Sequence, residues 1–398
     1  MSSAVRRAFA LTALALSALA AAVACGDAAD ALEGTSSSGG AYDASAGRDG
    51  GPSAISDAGA TPISANGLVL VHAASFPAFR ICFDGTPEEQ PIPAADLMPS
   101  SNIPGLEMGT ALRLAPRPGA LGNAYIYREE VIRNLYFPSP ESGPSCGRLR
   151  KSTTIEYLQV ATALPDLSIG VHLLVLQGCG TLAIDPLASV DRCGATWTSG
   201  SGNLELTRIS VNAFNRPPSG GIPIQLVQLS HDLDQRAQTQ LLGLSFGPLD
   251  GGAPPPVVEG MVPLGKPVPD PPASIDTTKT ELADFDTNGV FVTLGAPIDD
   301  AGKPVLDAGD AGPRTVLLAQ SLAEIQRRSS PRSLPPEWFA TASSYVVLSV
   351  GEIDPKNPDG GPGDERRGLH LLAVPLAAPD GGSQPVISDA GFDANATD

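Results

Sequence analysis

Gly67-Leu-Val-Leu-Val-His-Ala-Ala-Ser-Phe-Pro-Ala-Phe-Arg-Ile-Cys-Phe83 sets two apolar runs, 67–71 and 79–83, on either side of a segment containing Pro77. Runs of this length, rich in branched and aromatic residues, read as strands, and the two are expected to form a first pair. The same grammar continues at 154–160, 171–176, 204–211, 222–229, 241–246, 290–294, 346–350 and 369–374. Period-two alternation is plain at Val290, Val292 and Leu294, and at Val346, Leu348 and Val350. Two runs change parity midway. Leu204 and Leu206 give way to Ile209 and Val211, and Ile222, Ile224 and Leu226 give way to Val227 and Leu229. A bulge in each would restore a single buried face.

Helix is scarce. The spacing of Leu318, Leu322 and Ile325, with Arg327 and Arg328 behind them and Pro331 as a stop, predicts a helix over 315–328. A shorter one is predicted over 128–135. Gly170-Val-His-Leu-Leu-Val-Leu176 is echoed by Gly368-Leu-His-Leu-Leu-Ala-Val374, each about 40 residues after one of those helices. The expected fold class is therefore all-β: two tandem antiparallel β-sandwich modules at 65–198 and 203–378, joined through 199–202.

Composition agrees with this class. Gly 43 and Pro 39 fill about a fifth of the 398 residues, a density that suits short strands and turns and disfavours a helical bundle. Lys+Arg 25 against Asp+Glu 43 leaves a net charge of −18, which argues against nucleic acid as a partner, since phosphate binding needs a basic stripe.

The N-terminus points to export. Arg6 and Arg7 precede an uncharged apolar run from 8 to 24, which meets Cys25 through Ala22-Val23-Ala24. Small residues directly before a cysteine resemble a bacterial lipobox, so 1–24 is expected to be a lipoprotein signal peptide and Cys25 the lipidation site. The alternatives are a secretory peptide that leaves Cys25 free, or a twin-arginine signal at Arg6-Arg7. Removing 1–24 takes away two arginines and no acid, so −18 becomes −20. Residues 25–64, almost wholly Gly, Ala, Ser and Asp, read as a disordered tether, and 379–398 as a disordered tail. Gly26 after Cys25 favours the outer membrane by analogy with enterobacterial sorting.

Four further cysteines, Cys82, Cys146, Cys179 and Cys193, suit two disulfides in an exported chain, with three connectivities open. Cys179 and Cys193 flank a short loop and are the natural local pair, which leaves Cys82 with Cys146. A metal site is the competing reading, but no C-x-x-C pair is present.

At Leu68-Val-Leu-Val-His-Ala-Ala-Ser-Phe-Pro-Ala-Phe-Arg-Ile-Cys-Phe-Asp-Gly85 the chain resembles the opening of the bacterial domain of unknown function 4397. There a V-V-H-A-S-P-D-A-P-A-V-D-V-Y-V-D-G stretch forms the first hairpin of an immunoglobulin-like sandwich. His72-Ala73, Ser75, Pro77-Ala78 and Asp84-Gly85 have counterparts in it, and Leu244-Ser-Phe-Gly247 is similar to that family's short Phe-Gly segment. Phe76 before Pro77 and the insertion at 86–110 depart from the pattern. The resemblance implies an immunoglobulin-like fold and lends no activity.

Three patterns carry possible chemistry. Gly243-Leu-Ser245-Phe-Gly247 fits a nucleophile elbow, but Pro248 and Asp250-Gly-Gly252 follow where a helix is required. Asp284, Asp286 and Asn288-Gly289 match the first half of a calcium loop, yet Gly295 stands where the bidentate Glu belongs. The recurrent Asp-Ala-Gly and Asp-Gly-Gly tracts are irregularly spaced and read as solvated loops. His72, His172, His231 and His370 each lie in or beside an apolar strand, as structural histidines do, and Trp197 and Trp338 read as core or junction residues. The expectation is a non-enzymatic, lipid-anchored cell-envelope protein. Its partners would be the membrane, through the lipid, and a cell-surface protein or glycan, with no cofactor required. A calcium-stabilised adhesion module and a secreted hydrolase using Ser245 are the alternatives.

Overall fold

A computed structural model describes residues 66–93, 105–114, 116–136, 143–217, 221–276, 286–297, 314–329, 342–353 and 367–377. All of them fall in one compact unit, Pro52–Asp398. The segments expected to be signal peptide (1–24), tether (25–64) and tail (379–398), and with them Cys25, Asp284 and Trp338, lie outside the described residues.

The chain is all-β and forms two sandwich-like modules. In the first, an outer sheet of β2 (Phe79–Phe83), β4 (Ala120–Arg128) and β5 (Leu158–Asp166) faces an inner sheet. That inner sheet is ordered β3 (Ala111–Leu114), β1 (Gly67–His72), β6 (Val171–Gln177) and β7 (Glu205–Val211). In the second, the inner sheet is β11 (Pro267–Ile275), β8 (Ile222–Gln228), β14 (Ser344–Val350) and β15 (His370–Leu376). Its outer sheet is β10 (Val258–Gly260), β9 (Gln240–Pro248), β12 (Asn288–Pro297) and β13 (Thr315–Ser321). Among the described residues five short α-helices decorate the connections: α1 (Glu129–Ile132), α2 (Cys146–Lys151), α3 (Val190–Cys193), α4 (His231–Ala237) and α5 (Leu322–Ser329).

The modules are stacked face to face, and three apolar layers hold the stack. Leu68 and Leu70 of β1 join Phe79, Ile81 and Phe83 of β2 inside the first sandwich. Ile222, Ile224 and Leu226 of β8 join Leu242, Val290 and Val292 inside the second. Between the inner sheets, Val69, Val71, Leu173 and Val175 pack on Val227, Val346, Leu348, Leu372 and Val374. Each inner sheet is thus covered on both faces, which is why β1, β8, β14 and β15 are buried at every position and read as continuous apolar runs.

This layering corrects the bulge reading. Strand β7 pairs with β6 without a register shift, and β8 pairs with β14 the same way. Leu206 serves the first-sandwich layer, while Ile209 and Val211 serve the middle one. In β8, Ile222, Ile224 and Leu226 face one core, and Val227 and Leu229 the other. The parity change records two cores on opposite faces of one strand. The irregularity facing β8 lies instead in β11, between Val268 and Ala273.

Other expectations also shift. The first two runs do not pair: β1 lies between β3 and β6, and β2 beside β4, with Ala74 and Phe76 buried where the chain crosses between sheets. The predicted helix over 315–328 is strand β13 followed by α5. Pairing of Val316–Ser321 with β12 overrides the helical spacing, and Leu322 and Ile325 keep the helical face they were assigned. Strand β7, beyond residues 199–202, belongs to the first inner sheet, so the chain changes modules between Val211 and Ile222. The echo at 170–176 and 368–374 joins a central strand to an edge strand. The structural counterpart of β6 is β14: each runs parallel to its module's first strand. Each also ends at a positive-φ glycine, Gly178 (φ 86°) and Gly351 (φ 92°). A Cβ on either would strike the carbonyl oxygen of Asn203 or Gly368, so only glycine fits both turns.

Strand β15 is an edge whose free backbone groups meet side chains. Gln320 Oε1 accepts from Leu371 N at 2.7 Å, and Ser329 Oγ accepts from Ala373 N at 2.8 Å. Such capping removes the template that an open edge offers to another chain.

Candidate functional site

Where the β6–β7 connection meets the β14–β15 connection, a cleft of ≈ 260 Å³ opens at the module junction. Its first wall is the loop closed by the Cys179–Cys193 disulfide. Asn203 clips both cysteines, accepting from Cys179 N at 2.9 Å and donating to Cys193 O at 2.7 Å. Trp197 packs on the same disulfide, and its Nε1 donates to Gly180 O at 2.9 Å. The second wall is Leu229-Ser-His-Asp232 with Gly351-Glu352. Asp232 is committed there, its Oδ2 accepting from Ile353 N at 2.9 Å.

Charges from both modules meet beside this cleft. Arg367 donates from Nη1 to Asp185 Oδ1 at 2.9 Å and from Nη2 to Glu352 Oε1 at 3.2 Å. Ser75 Oγ donates to Asp185 and accepts from Arg367. The second Glu352 oxygen, Oε2, faces Arg192 Nη1 at 3.4 Å. Burial would raise the Asp185 pKa, but the hydrogen bonds from Arg367 and Ser75, with the Arg367 charge, hold it below the usual carboxylate range. Two cations and two anions leave the cluster neutral, as a largely buried group of charges requires.

The sequence candidates are not brought together. Ser245 is fully buried inside β9, opposite Phe291 of β12, and the strand continues to Pro248, so no strand–turn–helix forms. His370 lies at a different contact, its ring nitrogens 2.7 Å from Gly368 O and 3.0 Å from Gly109 O. Asn288 is buried and pairs with Pro248, while Asp286 is exposed. No group of three or more His, Cys, Asp or Glu suited to a metal occurs among the described residues. Cysteines pair as Cys82–Cys146 and Cys179–Cys193, and His231 lines the cleft. Sequence reasoning missed Ser75, Asp185, Arg192, Glu352 and Arg367. Arg192 had one signal, its place beside a disulfide cysteine.

His72 is wholly buried against Phe79, with ring centroids 4.8 Å apart, and Nε2 lies 3.1 Å from Phe76 O. Burial lowers its pKa from 6.5 to about 4. It also lowers those of His172 and His370. The folded protein therefore binds these protons less tightly than the unfolded chain does. Stability is expected to be full above about pH 6.5 and to fall as pH drops toward 4, with His72 alone contributing about 3 kcal/mol of the loss. Urea unfolding at pH 7 and pH 4.5 checks this. His72→Phe should flatten the difference, and an unchanged pH dependence would refute the assignment.

Comparisons with protein families, curated proteins and solved structures return no match.

Proposed function

We propose that this chain is a non-enzymatic, lipid-anchored cell-envelope protein whose stacked sandwiches hold a binding cleft at their junction. The observation that carries the reading is the pair of disulfides in a chain whose N-terminal apolar run ends at Cys25. Disulfides persist in oxidising compartments, and a cysteine after small residues suits lipid attachment. The resemblance to domain 4397 over 68–85 favours a bacterial envelope module and assigns no chemistry. In this reading the lipid on Cys25 tethers the body through 26–64, and the outer membrane is the favoured site. The partner is a cell-surface protein, a glycan or a small solute.

Fractionation tests the anchor. Globomycin is expected to block maturation, and Cys25→Ser to move the protein from the membrane fraction to the soluble one. A Cys25→Ser variant that stays with the membrane would remove the lipid anchor from this reading.

A further inference from the structure

We propose that the groove between α2 and the outer sheet of the first module binds an acidic glycan, a sugar carboxylate lying on Arg150 and Lys151 and a ring face on Tyr157. The groove shares no lining residue with the junction cleft, so a ligand there is a role beyond the one given above, and either can fail without the other.

Residues 150–158, which leave α2 and enter β5, form one side of a groove of ≈ 760 Å³, and Ile126 and Arg128 of β4 help to form the other. That volume is in the range that ligand sites occupy. Charge here runs against the rest of the chain. Asp+Glu 43 outnumber Lys+Arg 25 overall, yet α2 carries Arg148, Arg150 and Lys151 in its last turn and no acid. A helix C-terminus favours cations, but the dipole does not account for Arg128, which β4 brings to the same groove.

These cations stay reachable. Lys151 is exposed and has no ion pair among the described residues. Arg150 is 30% exposed, and its carboxylate neighbour among the described residues is Asp84 Oδ1, 3.7 Å from Nε and beyond hydrogen-bond distance. Its guanidinium lies over the Tyr125 ring, and the Cys82–Cys146 bond anchors the first residue of the same helix. The planar fork that matches a carboxylate is thus held in place before a ligand arrives. Arg128 is paired with Glu130 and Glu156, both exposed, and exposed pairs of this kind yield easily to a better partner.

Charge complementarity calls for an anion, and the rest of the surface selects a sugar. Tyr157 is 40% exposed and held edge-on against Tyr125 at 5.5 Å, with Leu158 exposed beside it. A tyrosine ring presents an apolar face and a polar tip, which suits a pyranose with its C–H face and hydroxyl rim. Ser152, Thr153 and Thr154 add hydroxyls to the lining. An acidic peptide would instead seek a strand edge to extend. The edge at this groove is β5, where Pro165 lacks an N–H, Ala163 has φ 48° and the ladder to β4 shifts register twice, so it offers a poor template. A flat anionic bilayer does not enter a concave groove.

Titration calorimetry tests this on the full-length protein carrying Cys25→Ser, so that no lipid adds membrane affinity. The probes are trisaccharides of galacturonate, glucuronate, mannuronate and N-acetylneuraminate, and the methyl esters of the same sugars. At least one acid should bind saturably below about 1 mM, its ester about tenfold more weakly or worse, and affinity should fall as salt rises. Lys151→Glu and Tyr157→Ala should each weaken binding about tenfold or more, while Lys151→Arg keeps it. Both side chains are exposed, so urea unfolding of these variants should match the parent, which separates lost binding from lost fold. Poly-aspartate and phosphatidylglycerol vesicles are run beside the sugars. The proposal fails if no acidic sugar binds, if the esters bind as well as the acids, or if poly-aspartate or the vesicles bind more tightly than every sugar. It fails equally if Lys151→Glu and Tyr157→Ala both bind like the parent.

Discussion

Replacing Arg80 with alanine is expected to lower the unfolding free energy by about 3–5 kcal/mol, the cost of stranding one member of a buried ion pair. Arg80 is 2% exposed on β2, in a strand otherwise made of Phe79, Ile81, Cys82 and Phe83. Its Nε donates to Glu129 Oε2 at 2.6 Å, Nη2 donates to Glu129 Oε1 at 3.2 Å, and Nη1 donates to Pro93 O. Glu129, 3% exposed at the start of α1, has its other cationic neighbour, Arg133, at 3.9 Å. Arg80→Ala leaves that carboxylate buried with little compensation. The double replacement Arg80→Met with Glu129→Met removes both charges and should recover most of the loss, because the pair's attraction roughly offsets its desolvation. Denaturant unfolding of the single and double variants decides the matter. A single variant within about 1 kcal/mol of the parent would show that water already reaches the pair.

Removing the Cys82–Cys146 disulfide, as Cys82→Ala with Cys146→Ala, is expected to destabilise by about 4 kcal/mol on chain entropy alone. The bond spans a sequence separation of 64. Cys179–Cys193 spans 14, so its removal should cost about 3 kcal/mol. Packing enlarges the difference. The longer link pins α2 over the outer sheet, where Cys146 and Leu149 cover Tyr125, Tyr127 and Ile132. Arg150 of α2 sits 3.5 Å above the Tyr125 ring and 4.9 Å from that of Tyr157. Without the link α2 should fray, and limited proteolysis should cut after Arg148 or Arg150 before it cuts elsewhere. If the shorter link proved the more costly to remove, local packing rather than loop closure would govern both.

Much of this architecture was legible in the sequence. Runs at 67–71, 79–83, 171–176, 222–229, 290–294 and 346–350 are β1, β2, β6, β8, β12 and β14 to within a few residues. Apolar continuity sufficed for β1, β6, β8 and β14 because each lies between two cores. Strands with one wet face or an open edge were harder to read. Residues 267–275 carry four prolines, tolerated because β11 is an edge. In β4, the ladder to β5 shifts register between Gly122 and Ala124. The cleft was not legible, because its charged residues come from connections far apart in the chain. Ser75 and Arg367 meet only once both sandwiches have formed and stacked. No local pattern encodes such a meeting.

The parallel pairing of each inner sheet has a temporal consequence. Gly67 of β1 finds its register against Val171 of β6, and Ile224 of β8 against Tyr345 of β14. Each module's first strand must therefore wait until nearly all of its module has been made before its central ladder can close. Loop closure over such separations is entropically costly and is repaid late, so this topology belongs with the slow folders. Until then β1 and β8, apolar on both faces, are the segments that most need shielding. A chain made N-terminus first would keep each module's central ladder open until most of that module had been synthesised.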